Sequence, residues 1–297
     1  MKVGFIGVGN MGGPMCRNII KRSNHQVTVF DLNAAAVKTC TDLGATAGKS
    51  VAEVTKGADI VMTSLPMPRD VEAVTLGDGG ILANIAKSQT YIDLSTNAPS
   101  MVKKIGAAMA AKGIAMLDAP VSGGTSGAEA ATIAIMVGGD KKVFDDALPV
   151  LQSFSANVIH MGELGTGTVA KLVNNMLAFC NAAAATEGLM LGVTAGLDPK
   201  KLIQVVSSSS GNSNAFKNVS ERALSGEFTA SFALDLAYKD LHLALELGDE
   251  LGVPLQQGAS THNLQRMARG MGLGSKDSSS ILRVYETALG HAIKSRA

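Results

Sequence analysis

At 297 residues the chain is longer than a typical single core, and two domains are the natural expectation. Apolar residues make up 46%, charged residues 17%, and the formal net charge is +1. No Lys/Arg cluster is interleaved with aromatics, which excludes nucleic acid and an anionic membrane surface as expected partners. Cys16, Cys40 and Cys180 are odd in number and far apart in sequence; they read as reduced packing residues, not a disulfide framework. The five histidines show no ligand spacing, so no metal is expected. No uncharged apolar run reaches the ~18 residues that span a bilayer; the longest, 172–186, is broken by asparagines. A cytoplasmic location is the simplest expectation, or a mitochondrial matrix for a processed eukaryotic form.

In chain order, Lys2 to Ile6 is a β-branched and aromatic run that enters Gly7-Val8-Gly9-Asn10-Met11-Gly12 and then an apolar helical pattern at Met15, Ile19 and Ile20. That reads as strand, glycine turn, helix. The N-terminus superficially resembles a signal peptide, and it is read as the first strand because it runs straight into the glycines. Gly7 permits the tight turn, Gly9 removes the side chain that blocks a pyrophosphate, and Gly12 lets helix and strand pack closely. Phosphates then sit on the N–H groups of the helix start. Residues 27–30 read as the second strand, which ends on Asp31, nineteen residues after Gly12. A carboxylate there accepts from the adenosine ribose hydroxyls and repels a 2′-phosphate. The unit as a whole predicts dinucleotide binding, with NAD preferred over NADP.

Helix and strand continue to alternate: helices over 34–43 and 52–56, a strand over 60–64 ending at Leu65-Pro66, a helical pattern over 71–76, and a strand over 91–94 ending at Ser95-Thr96. Pro99 opens a helix to about 112. A strand over 115–117 runs into Asp118-Ala119-Pro120-Val121-Ser122-Gly123-Gly124, and strands over 133–137 and 158–161 flank a helix over 141–154. Such alternation predicts a parallel, doubly wound sheet with ligands at the C-terminal strand ends, where Leu65, Pro66 and Thr96 lie. Beyond Gly165 the pattern is helical: 168–191, 199–206, 232–251, 256–271 and 279–293. The expected fold class is α/β, an N-terminal Rossmann-like doubly wound sheet (1–163) followed by an all-α domain (164–297), joined by a long helix.

Three constellations stand out. Ser122-Gly123-Gly124 offers consecutive unobstructed N–H groups that suit a carboxylate or phosphate, and it reads equally as a flexible glycine turn. Lys171, Asn175, Ala178, Ala182 and Ala185 share one helix face, a lysine and an amide over small residues. That suits a cleft, with a lysine snorkelling from a buried helix as the other reading. In Tyr238-Lys239-Asp240-Leu241 the residues alone read as a surface charge pair near a helix start.

Together these motifs resemble the β-hydroxyacid dehydrogenase family, which includes 3-hydroxyisobutyrate dehydrogenase and tartronate semialdehyde reductase. The resemblance runs through residues 4–15, Leu65-Pro66, Asp93 to Thr96, Asp118 to Gly124, Gly165 to Asn175 and Lys239 to Leu241. It implies NAD lying over Gly7, Val8, Gly9, Asn10, Met11 and Gly12, with Asp31 at the ribose and Leu65, Pro66 and Thr96 along the cofactor. It implies substrate carboxylate on Ser122, Gly123 and Gly124, Lys171 as general acid/base, and Asn175 orienting the lysine or the substrate oxygen. Lys239 is then expected beside nicotinamide and substrate, reversing the surface reading. A base within hydrogen-bond reach is what removal of hydride from an alcohol needs, and desolvation disfavours a lysine's ammonium form. The resemblance implies an NAD-dependent 3-hydroxyacid dehydrogenase, foremost of 3-hydroxyisobutyrate in valine breakdown. Tartronate, succinic and sulfolactaldehyde-type semialdehydes stay open, with selectivity expected in the residues after Gly124 and in a loop over 207–218. A noncatalytic NAD-binding protein is the further alternative. The apolar helical half suggests a homodimer or homotetramer.

Overall fold

The computed structural model describes residues 1–293; residues 294–297, the end of the second expected domain, lie outside them. Two compact units divide between Lys171 and Leu172, inside one long helix. In the first unit β1 (Lys2–Ile6), α1 (Gly12–Arg22), β2 (Gln26–Phe30), α2 (Ala34–Thr41), a two-residue β3 (Thr46–Ala47), α3 (Val51–Lys56) and β4 (Ile60–Thr63) follow in order. Next come α4 (Pro68–Leu76), α5 (Ile81–Asn84), β5 (Thr90–Asp93), α6 (Pro99–Ala111) and β6 (Ala115–Asp118). A short β7 (Val121–Ser122), α7 (Gly124–Ala130), β8 (Ala134–Gly138), α8 (Lys141–Gln152) and β9 (Asn157–Gly162) lead to α9 (Thr166–Thr194).

Among the described residues the sheet has nine strands, in the order β3-β2-β1-β4-β5-β6-β8-β7, with β9 on β8. From β3 to β6 all pairs are parallel, and the order in which strands are added to the sheet reverses between β1 and β4, the switch point at which such sheets bind ligands. Alternation along β1 feeds both layers: Val3 and Phe5 join Met15, Ile19 and Leu151 on one face. Ile6 joins Val61, Tyr91, Val102 and Ile105 on the other. The wholly parallel sheet expected from the sequence is corrected at its far edge. β8 runs antiparallel to β6 and β7, and β9 parallel to β8. Two of the three cysteines, far apart in sequence, come near one another: Cys16 on α1 and Cys40 on α2 belong to the same buried apolar cluster, and each perturbs the other's titration. Both are free, buried packing residues.

The second unit continues α9 and adds α10 (Pro199–Ser207), α11 (Asn214–Ser225), α12 (Leu234–Leu251), α13 (Gln256–Gly270), a 3₁₀ turn (Ser278–Ile281) and α14 (Leu282–Leu289). Leu189, Phe216, Val219, Phe228 and Leu282 form one cluster; Ala183, Leu234, Leu264 and Ile281 form another. Of the loop expected over 207–218, residues 208–213 do connect two helices, whereas 214–218 belong to α11. Its start is capped by Ser213, whose Oγ accepts from Phe216 N–H at 3.0 Å, and its apolar face buries Phe216, Val219 and Ala223. The helix expected over 279–293 instead begins as the 3₁₀ turn and stops at Gly290, whose φ of +71° ends it. By length and composition alone α9 could cross a membrane, contrary to the sequence-based expectation. Its Ala183, Ala185, Leu189 and Met190 are buried within the second unit, as in a core helix.

Candidate active site

The loop after β1 is built around its glycines. Gly7 adopts φ +89°, and a Cβ there would come within 2.4 Å of the Ser64 carbonyl oxygen. A Cβ on Gly12 would lie 1.9 Å from the Gly7 oxygen, so only glycine lets α1 start this close to the strand. Gly9 differs: no atom lies within 4 Å of where its Cβ would be, so its backbone faces open space. The first turn of α1 carries no acidic residue; within it Gly13 N–H donates to the Gly9 oxygen at 2.8 Å and Pro14 has no N–H. An unobstructed glycine before a helix start free of carboxylates fits a pyrophosphate.

Asp31 follows β2, half-buried, and does two things. Its Oδ2 accepts from Val8 N–H at 2.8 Å and its Oδ1 from Asn33 N–H at 2.8 Å, which ties the strand end to the glycine loop. A carboxylate has about four acceptor positions, so two remain beyond these bonds. Leu65 and Pro66 leave β4 beside Gly7, and Leu65 N–H donates to Ser95 Oγ at 2.9 Å. Thr96 follows in the same turn.

That turn rests on a buried polar cluster the sequence reading did not single out. Asp93, closing β5, accepts from Thr63 Oγ1 at 2.9 Å, Ser95 N–H at 3.1 Å and Asn97 Nδ2 at 3.2 Å. Complete burial pushes its carboxyl above the ordinary range despite these bonds. Burial, and then the charge of Asp93, raise Tyr91 well above a normal phenol.

Ser122 ends β7. Gly123 has φ +138°, with Ile133 3.0 Å from where its Cβ would be, and Gly124 has φ +66° with open space around it. The residues beyond, where selectivity is expected, form helix α7.

Asp118, closing β6, sets the start of α9. Its Oδ1 accepts from Gly165 N–H at 2.7 Å and its Oδ2 from Thr168 N–H at 2.6 Å, a charge-assisted cap. Gly167 lets the first turn lie against the Met136 and Asp118 carbonyls, where a Cβ would come within 2.3 Å of one. Lys171 lies in the second turn, 7% exposed. The first unit thus gathers the glycine loop, Asp31, Leu65, Pro66, Thr96 and the start of the lysine helix at the C-terminal ends of β1, β2, β4, β5 and β6.

Asn175, one turn beyond Lys171 on α9, and Lys239 on α12 belong to the second unit. Asn175 Nδ2 donates to Asp240 Oδ2 at 2.6 Å, and Lys239 Nζ lies 2.8 Å from Asp240 Oδ1. The lysine side chain is 11% exposed and the aspartate's 2%, which corrects the surface-pair reading of the residues taken alone. Tyr238 stacks on His262 with ring centroids 4.0 Å apart, and burial, then the nearby His242, push His262 down to about 4. This stack pins the turn of α12 that carries Lys239. Among the described residues no group of three or more His, Cys, Asp or Glu could hold a metal.

A doubly wound sheet with this glycine loop and an acid at the end of β2 fits a dinucleotide cofactor. Residues 2–162 match the family described as the NAD binding domain of 6-phosphogluconate dehydrogenase. Residues 165–285 match that described as NAD-binding of NADP-dependent 3-hydroxyisobutyrate dehydrogenase. The chain is 42% identical to 2-(hydroxymethyl)glutarate dehydrogenase of Eubacterium barkeri, over 99% of this chain and 97% of that one. It is 41% identical to 3-hydroxyisobutyrate dehydrogenase of Pseudomonas aeruginosa, over 95% and 98%. The solved structure of Mycobacterium tuberculosis 3-hydroxyisobutyrate dehydrogenase with L-serine superposes with a TM-score of 0.87 at 30% identity, covering 95% of this chain and 98% of that one. The chain belongs to the β-hydroxyacid dehydrogenase family.

Proposed function

We propose that the protein catalyses reversible hydride transfer between NAD and a small 3-hydroxyacid, with 3-hydroxyisobutyrate, oxidised to methylmalonate semialdehyde, as the leading substrate. The observation that carries this reading is Lys171, buried on a helix whose start is fastened by Asp118 to the same strand ends as the glycine loop. When bound, the nicotinamide accepts or returns the hydride. Lys171 takes the hydroxyl proton during oxidation and gives it back during reduction. The N–H groups at Ser122, Gly123 and Gly124 hold the substrate carboxylate, and Lys239 supplies a cation beside cofactor and substrate. Asp31 accepts from the ribose hydroxyls and disfavours a 2′-phosphate, which makes NAD the preferred form.

The names of the relatives support a shared chemical core. 3-Hydroxyisobutyrate, 2-(hydroxymethyl)glutarate and serine are all HO–CH2–CH(R)–COO⁻ and differ only in R. Identity to the glutarate enzyme favours, as a second reading, a carboxyethyl group at R. Initial rates with these three compounds, glycerate, and tartronate semialdehyde in the reverse direction, each with NAD and NADP forms, test the proposal. One such compound dominating with NAD supports it; inertness across the panel with intact cofactor binding favours a noncatalytic NAD-binding protein. Exposed Val173, Leu177 and Leu191 on α9 support a homo-oligomer, which a monomer by light scattering refutes.

A further inference from the structure

The second unit contains a carboxylate to which neither the sequence reading nor the mechanism above gives a role. Asp240 is 1% exposed, and its two oxygens face two different groups: Oδ2 accepts from Asn175 Nδ2 at 2.6 Å, and Oδ1 lies 2.8 Å from Lys239 Nζ. A buried ion pair is a poor stabiliser compared with apolar packing of the same volume, so its value is sought in what it orients.

An ionised carboxylate only accepts hydrogen bonds, so the amide of Asn175 must turn its nitrogen to Asp240. Its oxygen then faces Asn174, whose Nδ2 donates to it at 3.1 Å. The second hydrogen on Asn175 Nδ2 is used in neither contact. An asparagine fixed this way, 6% exposed, offers a donor to any further partner. A donor suits the oxygen of a substrate on which charge develops as the hydroxyl proton leaves.

We propose that Asp240 is a positioning residue: it sets the amide orientation of Asn175, so that Asn175 donates to the substrate oxygen, and it holds the Lys239 ammonium beside it. This rests on the assignment of Asn175 and Lys239 to the active site. It decides between the two roles the family resemblance leaves to Asn175, in favour of the substrate oxygen over the lysine.

The test combines D240N, D240E, N175A and the N175A/D240N double variant. In D240N the charge is lost and one amide serves two neighbours; kcat falls roughly 10²-fold, the scale of a misplaced reacting group, while affinity for reduced cofactor changes little. In the N175A background D240N costs much less, because its effect runs largely through Asn175. D240E, which keeps the carboxylate, recovers part of the loss and serves if D240N does not fold. Side-chain amide spectra of ¹⁵N-labelled protein read the same contact without substrate. The Asn175 hydrogen bonded to Asp240 lies downfield in the wild type and shifts in D240N or D240E. Additive losses in the double variant, or an Asn175 amide signal unmoved by either substitution, overturn the proposal. If the wild type turns over no hydroxyacid, the dehydrogenase reading fails while the amide spectra still decide the role of Asp240.

Discussion

Replacing Asp118 with asparagine tests how the fold delivers Lys171. The wild-type carboxylate accepts two backbone N–H groups of the α9 start, at 2.7 and 2.6 Å. Asparagine has one oxygen to offer, so either the Gly165 or the Thr168 N–H meets an NH2 group instead of an acceptor. A buried donor left facing a donor costs about 1–3 kcal/mol. Loss of a negative charge at the helix start adds up to about 1 kcal/mol. Relief of the buried charge works the other way, since burial raises the Asp118 carboxyl above its ordinary range.

The net expectation is a loss of about 2 kcal/mol, or roughly 4–8 °C in Tm for a domain of this size. The sign with pH follows from the same shift: between the ordinary carboxylate value and its raised one, the folded chain holds a proton that the unfolded chain has released. The contribution of this group to stability is therefore full at low pH and is lost as the pH rises through the raised value, and Asp118→Asn removes that slope. Because the cap fixes where Lys171 sits, kcat falls by up to about 10²-fold, while the glycine loop and Asp31 keep the cofactor affinity unchanged. Thermal melts across mildly acidic pH, initial rates and a fluorescence titration of reduced cofactor measure all three. A variant with wild-type Tm and wild-type kcat refutes the reasoning.

The remaining predictions concern the cofactor cradle and acid stability. Asp31→Asn keeps an acceptor for the Val8 N–H and removes the charge, so the ratio of kcat/KM for NADP to that for NAD rises; an unchanged ratio removes Asp31 as the selecting group. Gly9→Ala has open space for its methyl and melts like the wild type, yet binds cofactor much more weakly, and normal affinity by titration contradicts the cradle. Gly12→Ala drives a methyl to 1.9 Å from the Gly7 oxygen and lowers stability by about 1–3 kcal/mol, read from denaturant unfolding. At Asp277 burial opposes ionisation, but hydrogen bonds from Ser279 and Ser231 outweigh it and hold the carboxyl below its ordinary value. Its stabilisation is present above the ordinary carboxylate value and lost as the pH falls through the lowered one, so Asp277→Asn flattens the acid limb of a Tm against pH curve.

The alternation of strands and helices and the cofactor loop were legible because they follow from local spacing. Gly7 to Gly12 after an apolar strand, and Asp31 at the end of the next, need no distant partner to be recognised. What escaped depends on contacts across the chain. Asp118 caps residues 47 and 50 positions away, and Asp240 meets Asn175 across 65 positions. A carboxylate closing a buried apolar strand, as in 91–93 and 115–118, was the available signal for Asp93 and Asp118. The hairpin-like reversal of β7 and β8 was hidden by the intervening α7, a seven-residue helix that opens on the weak helix formers Gly124, Thr125, Ser126 and Gly127. Helix α11 was masked by the serines and asparagines before it, although Ser213 three residues ahead of Phe216 is a capping pattern. Cys16 and Cys40 share one buried cluster between neighbouring helices, and separation in sequence concealed it.

The central claim is that Lys171 moves the proton that leaves with the hydride. Its most direct measurement is the rate of NAD reduction by the best hydroxyacid of the panel for the wild type and Lys171→Met, with NAD affinity determined separately on both. The account predicts turnover reduced to background in the variant, with NAD bound as in the wild type. Near-normal turnover in Lys171→Met contradicts it.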